Sequence, residues 1–130
     1  KALKIWMSVK EHGLDRFGRL IDRNIDQARE LEQLVRSTAD FEMLAPVATN
    51  TVCFRWNPGG WSDERLNEFN AELLIRLHES GVAAPSYTTL QGRYCLRAAI
   101  VNHRTRSEDF PVLMRELVRI ARELRAERER

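Results

Sequence analysis

Residues 84–101, APSYTTLQGRYCLRAAIV, decide the fold. Two strand-like runs flank Gln91-Gly92, and that pair has the chemistry of a tight two-residue hairpin turn. The second run, Arg93 to Val101, divides at the two-residue period of a strand. Tyr94, Leu96, Ala98 and Ile100 face one way, and Arg93, Cys95, Arg97 and Ala99 the other. A hairpin with one apolar face needs a cover for that face.

The cover is found by working outward. Upstream, Thr51 to Trp56 alternates in the same manner, Val52, Phe54 and Trp56 against Thr51, Cys53 and Arg55. A shorter strand, Phe41 to Leu44, ends near Pro46, and Asn57-Pro58-Gly59-Gly60 is a turn. Ser62-Asp63-Glu64 opens a helix with a capping hydroxyl and first-turn acids; it runs on Leu66, Phe69, Leu73, Leu74 and Leu77 and stops at Gly81. The clearest helix spans 14–37. Leu14, Ile21, Ala28 and Val35 recur every seven residues, with Phe17 and Leu31 between them and Leu20, Ile25 and Leu34 alongside. A last helix starts within Ser107-Glu108-Asp109, tolerates Pro111 in its first turn, and buries Phe110, Leu113, Leu117, Ile120, Ala121 and Leu124. The charged tail from Arg125 to Arg130 is expected to fray. A short helix over 2–12, with Leu3, Ile5, Trp6 and Val9 as its stripe, precedes everything.

The order α-α-β-β-α-β-β-α predicts an α+β fold: a small two-layer sandwich, its antiparallel or mixed sheet carrying helices on one face. Length fits a single domain over 1–130, with N-terminal helices in 1–40 and the small α+β unit in 41–130. At 43% apolar and 31% charged, the chain is neither disordered nor fibrous. A net charge of +2 lacks the basic excess of a dedicated nucleic-acid binder, and no apolar run is long enough to span a membrane. Cys53 and Cys95 read as free, buried thiols in a reducing compartment, so a cytoplasmic protein is expected.

Chemistry-bearing motifs are sparse. His12, His78 and His103 lie on separate elements, with no His-x-x-x-His or Cys-x-x-Cys spacing, so no metal site is expected. No phosphate-binding glycine loop and no nucleophile elbow occurs. The acids sit on charged helix faces, where solvation is their ordinary role. Arginine is the residue to weigh, since eighteen of the 21 basic residues are arginine. Arg97 lies between Leu96 and Ala98, where a charge is costly unless paired. Two roles stand open for it: pairing with a buried acid or carbonyls, or a fork that clamps a carboxylate or phosphate. Arg104, with His103 in the strand-to-helix loop, fits capping of the last helix better than facing a site.

The stretch from Ser86 to Thr105, SYTTLQGRYCLRAAIVNHRT, resembles the carboxy-terminal region of group II pyridoxal-phosphate-dependent amino-acid decarboxylases, the aromatic-L-amino-acid and tyrosine decarboxylase family. Four more pieces agree in order: residues 2–6 (ALKIW), 41–46 (FEMLAP), Val52-Cys53-Phe54-Arg55, and Leu66-Asn67 with Asn70. The resemblance implies the small domain of a fold-type I enzyme, packed on a large domain that holds the cofactor. That domain would lie upstream of Lys1, making this chain a fragment of a parent homodimer. It implies a carboxy-lyase that removes the carboxylate of an L-amino acid, aromatic by preference, as CO2 and releases an amine. The family's Schiff-base lysine stands in a His-Lys pair, and no such pair exists here. No catalytic residue is therefore expected in this chain. Nor is bound pyridoxal phosphate expected, and the isolated chain should be inactive. Arg97 matches a family arginine and is the candidate closest to substrate or cofactor. Arg55, His103 and Arg104 are structural or interface candidates. An arginine that held the departing carboxylate would stabilise the ground state, so Arg97 instead serves structure or another carboxylate.

A second reading from the residues is a free-standing ferredoxin-like module that binds a ligand or RNA, since β-α-β-β-α from Thr51 onward fits part of such folds. It would place Arg55, Arg93 and Arg97 against RNA. That face carries no aromatic stacking platform, because Trp56 and Tyr94 are expected on the opposite one.

Overall fold

The computed structural model describes residues 14–47, 49–83, 85–100 and 106–129, with side chains from Arg23 onward. The elements are α1 (Leu14–Ser37), β1 (Phe41–Met43), β2 (Thr51–Trp56), α2 (Asp63–Ser80), β3 (Ser86–Leu90), β4 (Arg93–Ala99) and α3 (Asp109–Arg128). The strands form one sheet in the order β1-β2-β4-β3, and every neighbouring pair is antiparallel. The expected α+β architecture is present, and the sheet is antiparallel rather than mixed. The expected 2–12 helix lies outside the described residues, as do His103 and Arg104.

The β3–β4 hairpin turns where the sequence demands it. Gln91 and Gly92 take φ of 52° and 78°, the left-handed pair that matches the twist of flanking strands. Nothing crowds a Cβ at Gly92, so conformation alone selects glycine there.

Register then sorts the side chains. Phe54 opposes Leu96, and Phe41 opposes Trp56. These four lie buried on the helix side of the sheet. Ala28, Leu31 and Val35 of α1, the predicted stripe of α2 and the predicted stripe of α3 close over them as one core. Trp56 stacks on Phe69 with ring centroids 4.0 Å apart, and Trp61 meets both edge-on. The α2 ends follow their caps: the Ser62 hydroxyl accepts the Arg65 N–H at 3.2 Å, and Gly81 takes φ 75°.

Two asparagines of α2 latch it to the sheet. Buried Asn70 accepts the Trp56 N–H at 2.8 Å and donates to the Trp56 carbonyl at 3.0 Å. One turn earlier, Asn67 accepts the Tyr94 N–H at 2.8 Å and donates to the Gly92 carbonyl at 2.9 Å. Backbone groups that neighbouring strands leave unpaired are thus satisfied by one helix face.

One expectation fails. The tail is helical through Arg128. Arg76 of α2 grips Glu127 through both guanidinium nitrogens, and Arg125 pairs with Glu129 at 3.0 Å, so the last turns are tied down.

Candidate functional site

The sheet face turned away from the helices carries the polar residues that could do work. Its composition follows from the strand period: every second residue of β2 and β4, with their partners on β1 and β3, must project there. At one end lies an ionic cluster. Arg55 is 3% exposed and donates through Nε to Glu42 Oε2 at 2.7 Å and through Nη1 to Asp63 Oδ1 at 3.3 Å. Asn57 Nδ2 also donates to Glu42 Oε2, at 2.8 Å, and Arg93 Nε lies 3.5 Å from Asp63 Oδ2. Partial burial pushes the Glu42 carboxyl up, but the Asn57 amide and the Arg55 guanidinium outweigh it and hold the group below its usual 4.5. Arg55 thus joins β1, β2 and the first turn of α2. The tie is made of one buried guanidinium and two carboxylates.

Two thiols occupy the middle. Cys53 opposes Arg97 in register, and Cys95, two residues back on β4, is its diagonal neighbour. Cys95 Sγ donates to the Thr88 carbonyl at 3.6 Å. Burial, then the neighbouring Cys53, raises the Cys95 thiol to about 11. Cys95 is fully buried as expected; Cys53 is only half-buried, which corrects the reading of both as interior.

Arg97 sits beside this pair and corrects a second expectation. It is exposed, not buried among apolar strand residues, because none of the described helices covers this side of the sheet. Among the described residues its guanidinium has no acid partner; the Ser86 hydroxyl donates to its backbone carbonyl at 3.4 Å. A five-donor fork beside small neighbours (Cys53, Ser86, Ala99) can receive a carboxylate, a phosphate or a set of carbonyls. His78, the described histidine, is exposed at the end of α2 with Nε2 2.7 Å from the Pro85 carbonyl. No group of metal-binding side chains occurs among the described residues.

The face does not fit two other ligands. It carries no aromatic ring among its described residues, so the stacking surface a single-stranded RNA needs is missing and the module reading gains no support. Nor can it anchor pyridoxal phosphate covalently: the three lysines are residues 1, 4 and 10, and the described residues contain none.

Sequence reasoning missed the Asn70 and Asn67 latches as structure, although both appear among the family-like residues. The available signal was a polar residue inside the apolar stripe between Phe69 and Leu73.

Comparison with known proteins agrees with this geometry. No protein-family model matches the chain. An aromatic-L-amino-acid decarboxylase of Bacillus atrophaeus is 30% identical over 125 residues, covering 95% of this chain and 26% of that protein. A phenylacetaldehyde synthase of Arabidopsis thaliana is 36% identical over 100 residues, 77% of this chain and 20% of that protein. Among solved structures, Oryza sativa TDC with PLP and tryptamine superposes with a TM-score of 0.84 at 28% identity, over 94% of this chain and 26% of that one. The chain therefore spans between a fifth and about a quarter of the relatives it matches. Sequence and fold agree over almost its whole length, and the chain belongs to the group II pyridoxal-phosphate-dependent amino-acid decarboxylases, fitting their carboxy-terminal domain.

Proposed function

We propose that the parent polypeptide is a decarboxylase that removes the carboxylate of an aromatic L-amino acid as CO2 and releases the amine. The observation that supports it most is a fit over 94% of this chain, at a TM-score of 0.84, to a structure holding PLP and an aromatic amine. Pyridoxal phosphate supplies the electron sink in such chemistry. Its lysine anchor belongs to polypeptide outside this chain.

The role of this domain is to present its outer sheet face to the remaining polypeptide. Docking would strip water from Arg97, and a desolvated guanidinium needs acceptors. Arg97 therefore meets an acid, a row of carbonyls or the cofactor phosphate across that contact. It does not grip the departing carboxylate, whose charge is lost as the bond breaks. The parent works as a homodimer in the cytoplasm; for the compartment, the support is two cysteines left unbridged.

The test is to assay the longer polypeptide and the 130-residue chain side by side with L-tryptophan, L-tyrosine and added pyridoxal phosphate. Amine and CO2 from the long protein, with neither product nor cofactor absorbance from the short chain, is the expected result. A long protein that binds the cofactor but yields an aldehyde in place of the amine, or no CO2, would overturn it.

A further inference from the structure

A cavity on the helix side of the sheet lies away from the outer face, and its argument does not depend on the decarboxylase reading. It measures about 270 Å³ and sits between the turn that leaves α1 and the second half of α3. Its floor is apolar: Phe41, Trp56 and Ala121 are buried, and Val118 packs against the same core. Its rim is charged, with Asp40 on the turn and Arg122 and Arg125 on the helix. Spacing explains the α3 wall, because Val118, Ala121, Arg122 and Arg125 recur at three and four residues and share one helix face.

The walls are fixed in place. Asp40 takes φ 68°, a left-handed position that aspartate tolerates, and its carbonyl accepts the Asn57 N–H at 2.6 Å. The Thr38 hydroxyl donates to the Leu34 carbonyl at 2.6 Å, and the Phe41 N–H to the Thr38 carbonyl at 3.3 Å. Arg125 donates through Nε to Glu129 at 3.0 Å, with its guanidinium 5.7 Å from the Trp56 ring centroid. The opposite charges on the rim nevertheless stay unpaired. Among the described residues neither Asp40 nor Arg122 has an ion-pair partner. The helix neighbours of Arg122 at three and four residues are Val118, Arg119, Arg125 and Ala126, none of them an acid. An unpaired carboxylate and an unpaired guanidinium above an apolar floor complement a molecule that carries both charges and an apolar group.

We propose that this cavity binds a small apolar α-amino acid as its zwitterion. The carboxylate lies on Arg122 and the Nη groups of Arg125, the ammonium on Asp40, and the side chain on Phe41 and Trp56. Drug-sized pockets begin at roughly 300 Å³, so a leucine-sized molecule fits here and a nucleotide does not. Docking of the outer face leaves the cavity open, since it lies across the sheet. Its rim is hydrated, so Kd should be on the order of 1 mM.

The experiment titrates the 130-residue chain with L-leucine, following the tryptophan indole signals by NMR. Isocaproate, which lacks the ammonium, and isoamylamine, which lacks the carboxylate, are titrated in parallel. Leucine should give a saturable shift, and both analogues should bind about 10- to 100-fold more weakly, as loss of a charge-assisted contact predicts. Asp40→Asn should lower leucine to the affinity of isocaproate and leave isocaproate unchanged. Arg122→Gln should weaken leucine and isocaproate and leave isoamylamine unchanged. Both residues are exposed, so the variants should keep the urea midpoint of the unaltered chain. If either fails to fold, the analogue series on the unaltered chain decides alone. No saturable response at tens of millimolar leucine, equal affinity for leucine and isocaproate, or leucine binding that survives both substitutions would each overturn the proposal.

Discussion

The two faces of the sheet are built from alternate residues of the same strands, yet they are held in opposite ways. On the helix side, Val52, Phe54 and Leu96 are fully buried and meet apolar partners from every described helix. Contacts there are many, small and non-directional, so stability is spread widely. On the outer side a few directed interactions do the holding: Arg55 to Glu42 and Asp63, and Asn57 to Glu42. The first face makes most of the fold, and the second, held at a few points, is freer to vary its chemistry. The difference is one of degree, and substitutions can measure it.

The largest effect belongs to the apolar face. Phe54→Ala leaves a cavity under α1 and α2 and should cost about 3–5 kcal/mol, a large part of what a domain of this size possesses. Urea unfolding followed by tryptophan fluorescence would show it as a lower midpoint or an unfolded chain. Asn70→Leu comes next. It keeps the branched outline but strands the buried N–H and carbonyl of Trp56, and an orphaned buried group costs about 1–3 kcal/mol. A loss of about 2–4 kcal/mol in the same assay is expected. A neutral result would mean that the latch adds nothing beyond apolar contact.

The outer face should yield less. Arg55→Met removes a buried cation, but its partners Glu42 and Asp63 are 39% and 51% exposed and regain water. The cost should therefore be about 1–2 kcal/mol, below that of breaking a fully buried pair. The same cluster sets a pH dependence. Glu42 has its folded pKa below its ordinary 4.5, so the unfolded chain takes up the proton first. Its contribution is complete above that ordinary value and is lost as pH falls through the folded one. Glu42→Gln should flatten the acid limb of a stability profile run from neutral pH to about pH 3. An unchanged limb would remove Glu42 from the acid response.

The two faces also differ in how far the sequence discloses them. Periods of 3.6 and 2 reveal the apolar face, since Leu66, Phe69, Leu73 and Leu77 all fall on one stripe and all are buried. Gln91-Gly92 discloses the hairpin because few residue pairs accept two left-handed positions. The outer face depends on distance in space. Glu42 is 13 residues from Arg55, and Asp63 is 8 away beyond a turn, and no periodicity joins them. Arg97 was placed in the right strand and on the right face, but its burial turned on whether anything covers that face, which alternation does not encode.

The smallest effect in this chain is the most telling. Arg97→Ala removes an exposed side chain with no acid partner among the described residues, so stability of the 130-residue chain should change by no more than about 0.5 kcal/mol. In the parent polypeptide the same change would leave a docked face without its cation, and amine formation should fall sharply. Arg97→Lys separates the two things the arginine offers. It keeps the charge and loses the planar fork, so partial recovery points to charge pairing and no recovery to bidentate geometry. If Arg97→Ala destabilised the short chain as much as Arg55→Met does, the outer face would be part of the fold after all, and the contrast between the faces would fail at its centre.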